Sequence, residues 1–232
     1  MSNCTDDAAA AFMQTPQYKE WETRLVSAGR TVEAVVVTPL VTLPNGTPFM
    51  AALKPRIRVA DEARVKENET VVMRPWVSAV VVWARGPTYG GDRFLLVAEF
   101  RSSVNNRVGT VIEVPGGSST DARAGRAPRT VRGGGPARRR ERLVHLGDYQ
   151  PAPTVSTHGI HAYAAEIPAA NMDTLAAREC KCGNPGETEI TYPRVYTRAE
   201  ICADRGRRFG TDVLGLISLT NREAVGLNTL AE

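Results

Sequence analysis

The sequence predicts an α/β protein with a small β-rich addition on its N-terminal side, and three observations carry that expectation. The chain has 232 residues, long for one average domain but ordinary for an α/β domain with an extra unit. Its 42% apolar content and negative mean hydropathy belong to a soluble globular chain. Before Pro75 the chain reads mostly as strands and turns; beyond it, apolar runs of strand length are joined by stretches of helical periodicity.

In chain order, Tyr18–Ala28 reads as a short helix, because Tyr18, Trp21 and Leu25 recur at three-to-four spacing. Thr31–Thr42 is rich in β-branched residues and reads as a strand; Leu43–Thr47 forms a turn, and Phe49–Leu53 pairs back as a hairpin. Ile57–Val59 and Thr70–Met73 flank a charged loop at Asp61–Glu69. Trp76–Trp83 is almost continuously apolar, as in a strand covered on both faces. A Gly-rich loop, Arg85–Asp92, leads to strands at Phe94–Phe100 and Gly109–Val114. Further strands are expected at Arg142–Leu146, Ile160–Ile167 and Ile190–Tyr196, with a helix at Asn171–Glu179 and a loop at Lys181–Glu187. Thr197 and Glu200 have capping-box spacing for a helix from Arg198, and Thr211–Asn221 reads as the last helix.

No run approaches the roughly 20 apolar residues that span a bilayer. Met1–Met13 is acidic and Ala-rich, with no basic stretch before an apolar core, so no signal or transit peptide is read and a cytoplasmic location is expected. The net charge of +4 is local: eight arginines lie between Arg123 and Arg142 against the single acid Glu141, and the rest of the chain is net acidic. The sequence pI near 9.0 therefore describes one segment rather than a basic surface. Cys4, Cys180, Cys182 and Cys202 imply reduced thiols, since Cys180 and Cys182 are too close for an ordinary disulfide. A zinc site recruiting His158 and His161 to Cys180 and Cys182 matches no common finger or ribbon spacing.

Two short passages carry the chemistry: Glu99-Phe100-Arg101 at the end of an apolar strand, and Glu113-Val-Pro-Gly-Gly117 after the next. They resemble the Nudix hydrolases, and within them the ADP-ribose and ADP-sugar pyrophosphatases, whose pattern is Gln-aromatic-Arg followed by Glu-x-Pro-(Ala/Gly)-Gly. Glu99 departs from the usual Gln. Leu146–Pro151 with Thr154–Ala164, and Glu187–Val195 with Arg198–Glu200, resemble later passages of the same family in the same order. The resemblance covers nearly all of the chain from about Tyr18.

It implies a Nudix α/β/α sandwich with a mixed sheet over residues 74–232, preceded by a small antiparallel β unit at 31–73 and an N-terminal tail with a short helix at 1–30. It also implies hydrolysis of the pyrophosphate bond of a nucleoside-diphosphate sugar, of the ADP-ribose or ADP-glucose type, giving a nucleoside monophosphate and a sugar phosphate. Mg²⁺ or Mn²⁺ is the expected cofactor, because hard cations on carboxylates neutralise a pyrophosphate that repels attacking hydroxide. A homodimer through the N-terminal unit is the expected assembly, with no membrane partner.

The family's defining element, Gly-x5-Glu-x7-Arg-Glu-apolar-x-Glu-Glu-x-Gly-apolar, starts at Gly117 and is not continued. Ser118–Arg140 contains no glutamate, and Val131–Pro136 carries three glycines and a proline that oppose a helix. Asp121–Arg140 is therefore expected to lack an ordered helix: its like charges and glycines bring no apolar contacts to offset ordering entropy. Codons permitted for Pro128–Pro136, read one nucleotide later, allow Arg-Glu-Leu-x-Glu-Glu-x-Gly-Leu, the second half of the missing element. A frameshift in the gene or gene model across part of Asp121–Arg140 accounts for this; a basic low-complexity loop inserted into a diverged domain is the alternative.

By position in the resembled pattern, the Gly116 carbonyl is a metal ligand and Arg101 contacts the substrate phosphates with its bidentate fork. Glu187 or Glu189 is the general base, Glu187 doubling as a metal ligand. Trp21 and Trp76 are candidates for stacking on the base, Trp76 also reading as core. Glu113 reads as orienting its turn, and His145, His158 and His161 receive no catalytic role. Two other functions compete: an inactive Nudix-fold module that binds a nucleotide or protein, and RNA binding by the arginine block, which lacks interleaved aromatics.

Overall fold

The computed structural model describes residues 3–118, 143–177, 190–204 and 209–220. The expectations for Asp121–Arg140 and for Lys181–Glu187 lie outside these residues. The described chain is α/β, with a small antiparallel sheet and a larger mixed one, and it divides into two compact units.

The first unit comprises residues 3–77 together with 118 and 150–159. It opens with helices α1 (Asn3–Met13) and α2 (Pro16–Ser27), followed by strands β1 (Arg30–Thr42), β2 (Pro48–Val59), β3 (Arg64–Lys66) and β4 (Val71–Met73). α1 was not anticipated from the sequence. Proline at the first turn of α2 leaves no unmet N–H there and fixes the helical φ. β1 and β2 form one long antiparallel ladder, so Ile57–Val59 continues the hairpin instead of standing apart, and β3 forms inside the expected charged loop. Pairing along all of β1 satisfies the backbone of residues whose sequence alone, with Lys54 and Pro55, shows weak strand character. Phe12, Tyr18, Ala51, Leu53 and Met73 form the unit's core.

The second unit holds strands β5 (Val77–Ala84), β6 (Arg93–Phe100), β7 (Thr110–Glu113), β8 (Gly116–Ser118), β9 (Val144–Tyr149), β10 (Ile160–Glu166) and β11 (Thr191–Thr197). Its helices are α3 (Ala169–Ala176), α4 (Arg198–Ala203) and α5 (Thr211–Leu219). The sheet order is β11-β6-β5-β10-β9, with β7 beside β6 and β8 beside β5. β6 pairs antiparallel with β11 on one edge; on the other it pairs with β5 through Arg93–Leu95 and with β7 through Val97–Phe100. β5 and β10 run parallel, as Val77 N donates to Gly159 O at one end and Ile167 N to Trp83 O at the other. The sheet is therefore mixed.

Both faces of this sheet are covered, which explains the near-continuous apolar run of β5. Ala79, Val81 and Trp83, with Phe94, Leu96 and Ile112, pack against Ile201 of α4 and Val213, Leu216 and Ile217 of α5. On the opposite face Ala84 and Ile167, with Val82, Leu95 and Val195, pack against Met172 and Leu175 of α3. Helix, sheet and helix thus form three layers within this unit. The capping box forms as expected: Thr197 Oγ1 accepts from Glu200 N at 3.2 Å, and Glu200 accepts from Thr197 N at 2.7 Å.

Candidate functional site

The end of β6 assembles the residues around which the two sequence passages meet. Side chains alternate along a strand, so Val97, Glu99 and Arg101 share the face of the sheet that α3 covers farther along. Glu113 lies opposite Val97 on β7 and so projects from that same face, diagonal to Glu99. Arg101 Nη2 forms an ion pair with Glu99 Oε2 at 3.0 Å and donates to Glu113 Oε2 at 3.1 Å. The side chain of Glu99 is only 7% exposed, whereas those of Arg101 and Glu113 are 39% and 30% exposed.

The loop after β6 is folded around Arg101 itself. Its N–H donates to Gly109 O at 3.1 Å, and its carbonyl accepts from Val104 N at 3.0 Å. Asn106 fixes the return by accepting from Val108 N at 3.1 Å and donating to Thr110 O at 2.8 Å. The next passage is anchored at both ends: Val114 is buried, and the carbonyl of Pro115 accepts from Val80 N at 2.9 Å. Gly116 follows at the start of β8, exposed, beside β5.

The other residues singled out by sequence fall elsewhere. Trp21 belongs to the first unit, where it packs on the core with its ring centroid 5.5 Å from Tyr18. Trp76 is half-buried in that unit and lies flat on Gly159, where an added Cβ would come within 2.6 Å of the ring; the Arg24 guanidinium stands 5.5 Å from the ring centroid. Glu187 and Glu189 lie outside the described residues. So do Cys180 and Cys182, proposed with His158 and His161 for zinc.

One cluster was missed from the sequence. Asp148 Oδ1 accepts from His161 Nδ1 at 2.8 Å and pairs with His145 Nε2 at 3.0 Å. Burial pushes the Asp148 carboxyl up, but hydrogen bonds from His161 and His145, with their charge, outweigh it and hold the carboxyl below the usual aspartate range. Residues three apart in a regular strand face opposite sides, so His145 and Asp148 meet only because the β9–β10 register shifts between Ala162 and Tyr163. Gly147 makes that shift possible: its φ is +127°, and a Cβ there would lie 2.8 Å from Tyr149 Oη. Glycine at this position was the one sequence signal available. Burial and the nearby Arg74 both lower the pKa of His158, whose Nδ1 lies 2.8 Å from Ser156 Oγ.

Among the described residues no group of three His, Cys, Asp or Glu side chains is arranged to hold a metal ion. Glu99 and Glu113 turn their carboxylates onto a guanidinium, and each imidazole of the histidine pair is bonded to Asp148. Glu187, the side chain expected to hold Mg²⁺ or Mn²⁺, lies outside the described residues.

Fold and site together define a two-unit α/β chain whose larger unit is a three-layered mixed sheet bearing an Arg–Glu–Glu cluster at one strand end. No family model matches the chain, and no curated protein matches it. Among solved structures it is similar to one titled a crystal structure of an ADP compounds hydrolase, with a TM-score of 0.48 and 11% identity, covering 85% of this chain and 95% of that one. No helix of the described residues is long and apolar enough to cross a membrane.

Proposed function

We propose that this chain is a Nudix-type pyrophosphatase of nucleoside-diphosphate sugars, of the ADP-ribose or ADP-glucose kind, whose turnover is impaired by loss of the acidic segment after Gly117. The observation that carries the reading is the junction at Arg101. The two passages on which the resemblance rests, Glu99–Arg101 and Glu113–Gly117, are separate in sequence yet meet through ion pairs of 3.0 and 3.1 Å. An arginine held at a strand end by carboxylates is pre-oriented, and its planar fork matches two phosphate oxygens. Glu187 or Glu189 is the general base in this reading, and the Gly116 carbonyl with Glu187 keeps what remains of cation binding. Homodimerisation through the first unit and a cytoplasmic location belong to the same proposal. The lack of any glutamate in Ser118–Arg140 favours a second reading, an inactive module of the same fold that binds a nucleotide or a protein.

The test compares two proteins: the chain as written, and one whose reading frame is restored so that the segment reads Arg-Glu-Leu-x-Glu-Glu-x-Gly-Leu. Both are assayed with ADP-ribose, ADP-glucose and Mg²⁺. Restoration is expected to raise turnover by at least about 10²–10³-fold, the loss that follows removal of even one electrostatic donor. Equal turnover by the two would refute both the impairment and the frameshift. If neither turns over, the substrate class is wrong.

A further inference from the structure

We infer that His158 is a proton-operated latch: residues 150–159 are held on β4 through its uncharged ring, and a further proton on that ring loosens them. These residues join β9 to β10 in sequence but pack within the first unit. Their hold is centred on Val72. Val72 N donates to Val155 O at 2.8 Å, and Val72 O accepts from Thr157 N at 3.1 Å and from the Ser156 hydroxyl at 3.0 Å.

The place of the ring proton follows from that hydroxyl. Ser156 is buried, and its Oγ has one proton to give and two lone pairs to receive. The proton goes to Val72 O, so the lone pairs accept from His158 N at 3.3 Å and from His158 Nδ1 at 2.8 Å. His158 therefore carries its proton on Nδ1, and a second one enters at Nε2. That second proton puts a positive charge in a half-buried place beside another cation. Residues 150–159 contain no carboxylate to offset it. The charged neighbour across from them is Arg74, two residues after Val72; α2 presents Arg24, which stands over Trp76 and is paired with Glu20. Burial first, and then Arg74, lower the pKa of His158. A histidine lowered in the fold contributes stability above its unfolded value of about 6.5, and loses it as pH falls from there towards the folded value.

Amide exchange of the full chain, read residue by residue at about pH 7.5 and about pH 5 and corrected for intrinsic rates, tests the inference. In the native chain the protection of Val72 and Thr157 is expected to fall several-fold more than that of the β1–β2 ladder. His158→Asn keeps a neutral donor for Ser156 Oγ and takes up no proton, so the extra fall should vanish in it. Equal changes at the segment and the ladder of the native chain, or an extra fall that persists in His158→Asn, would overturn the inference. A second measurement needs no variant. Nitrogen-15 correlation spectra of the histidine rings should place the His158 proton on Nδ1 at neutral pH, and finding it on Nε2 would overturn the latch.

Discussion

Among the described residues of the larger unit, the arginine–carboxylate clusters at Arg198 and Arg101 look alike as pairs and differ in what surrounds them. Arg198 opens α4 beneath the sheet, 6% exposed at its side chain, with Asp92 Oδ2 3.8 Å away and fully buried. Its guanidinium donates to Ile217 O at 2.9 Å and Thr220 O at 3.2 Å, closing the end of α5, and lies 4.2 Å from the Tyr89 ring centroid and 4.8 Å from that of Phe94. Asp92 Oδ1 in turn accepts from Gly86 N at 3.0 Å, tying down the Gly-rich loop. Arg101 instead stands at a strand end, more than a third exposed, among carboxylates. The difference teaches that an ion pair enclosed by ring faces and helix carbonyls holds elements together, whereas one at a solvent edge is screened by water and holds less. The His145–Asp148–His161 cluster extends the series, since Asp148 is about half exposed.

Substitutions should follow that order of burial. Arg198→Met is expected to cost about 3–5 kcal/mol of stability, because it takes the guanidinium from beside a buried Asp92 and removes donors to two carbonyls. Urea unfolding of the variant measures it, and a loss under about 1 kcal/mol would erase the contrast drawn here. Asp148→Asn is expected to have the smallest effect, present near neutral pH and lost in acid. The folded carboxyl is lowered, so its contribution is present above the unfolded value of about 3.9 and is lost as pH falls through the lower folded value. Melting temperatures of native protein and variant should therefore converge below about pH 4, and a gap that widened there would reverse the sign assigned to Asp148.

Much of this arrangement was legible in the sequence because the relevant signals are local. The capping box at Thr197 and Glu200, the apolar run of β5, and the passages at Glu99–Arg101 and Glu113–Gly117 need only spacing and residue type. What was not legible depends on register. Asp148 and His145 share a face only through the shift at Gly147, which period-two counting puts on opposite sides. Asp92 and Arg198 are more than a hundred residues apart and read singly as a loop acid and a helix-start arginine. β2 runs on through Lys54 and Pro55 because β1 supplies a partner strand along its length, a tertiary override of weak local propensity.

Arg101 provides the most direct test of the account. Arg101→Met and Arg198→Met would be melted with and without millimolar pyrophosphate, beside the native chain. The account predicts that Arg101→Met loses only about 1–2 kcal/mol, mainly from the ion pair with Glu99, and that pyrophosphate no longer raises its melting temperature. Arg198→Met should lose much more stability and still be stabilised by pyrophosphate. Arg101→Met that is as unstable as Arg198→Met, or that still responds to pyrophosphate as the native chain does, would contradict the assignment of Arg101 to a ligand site.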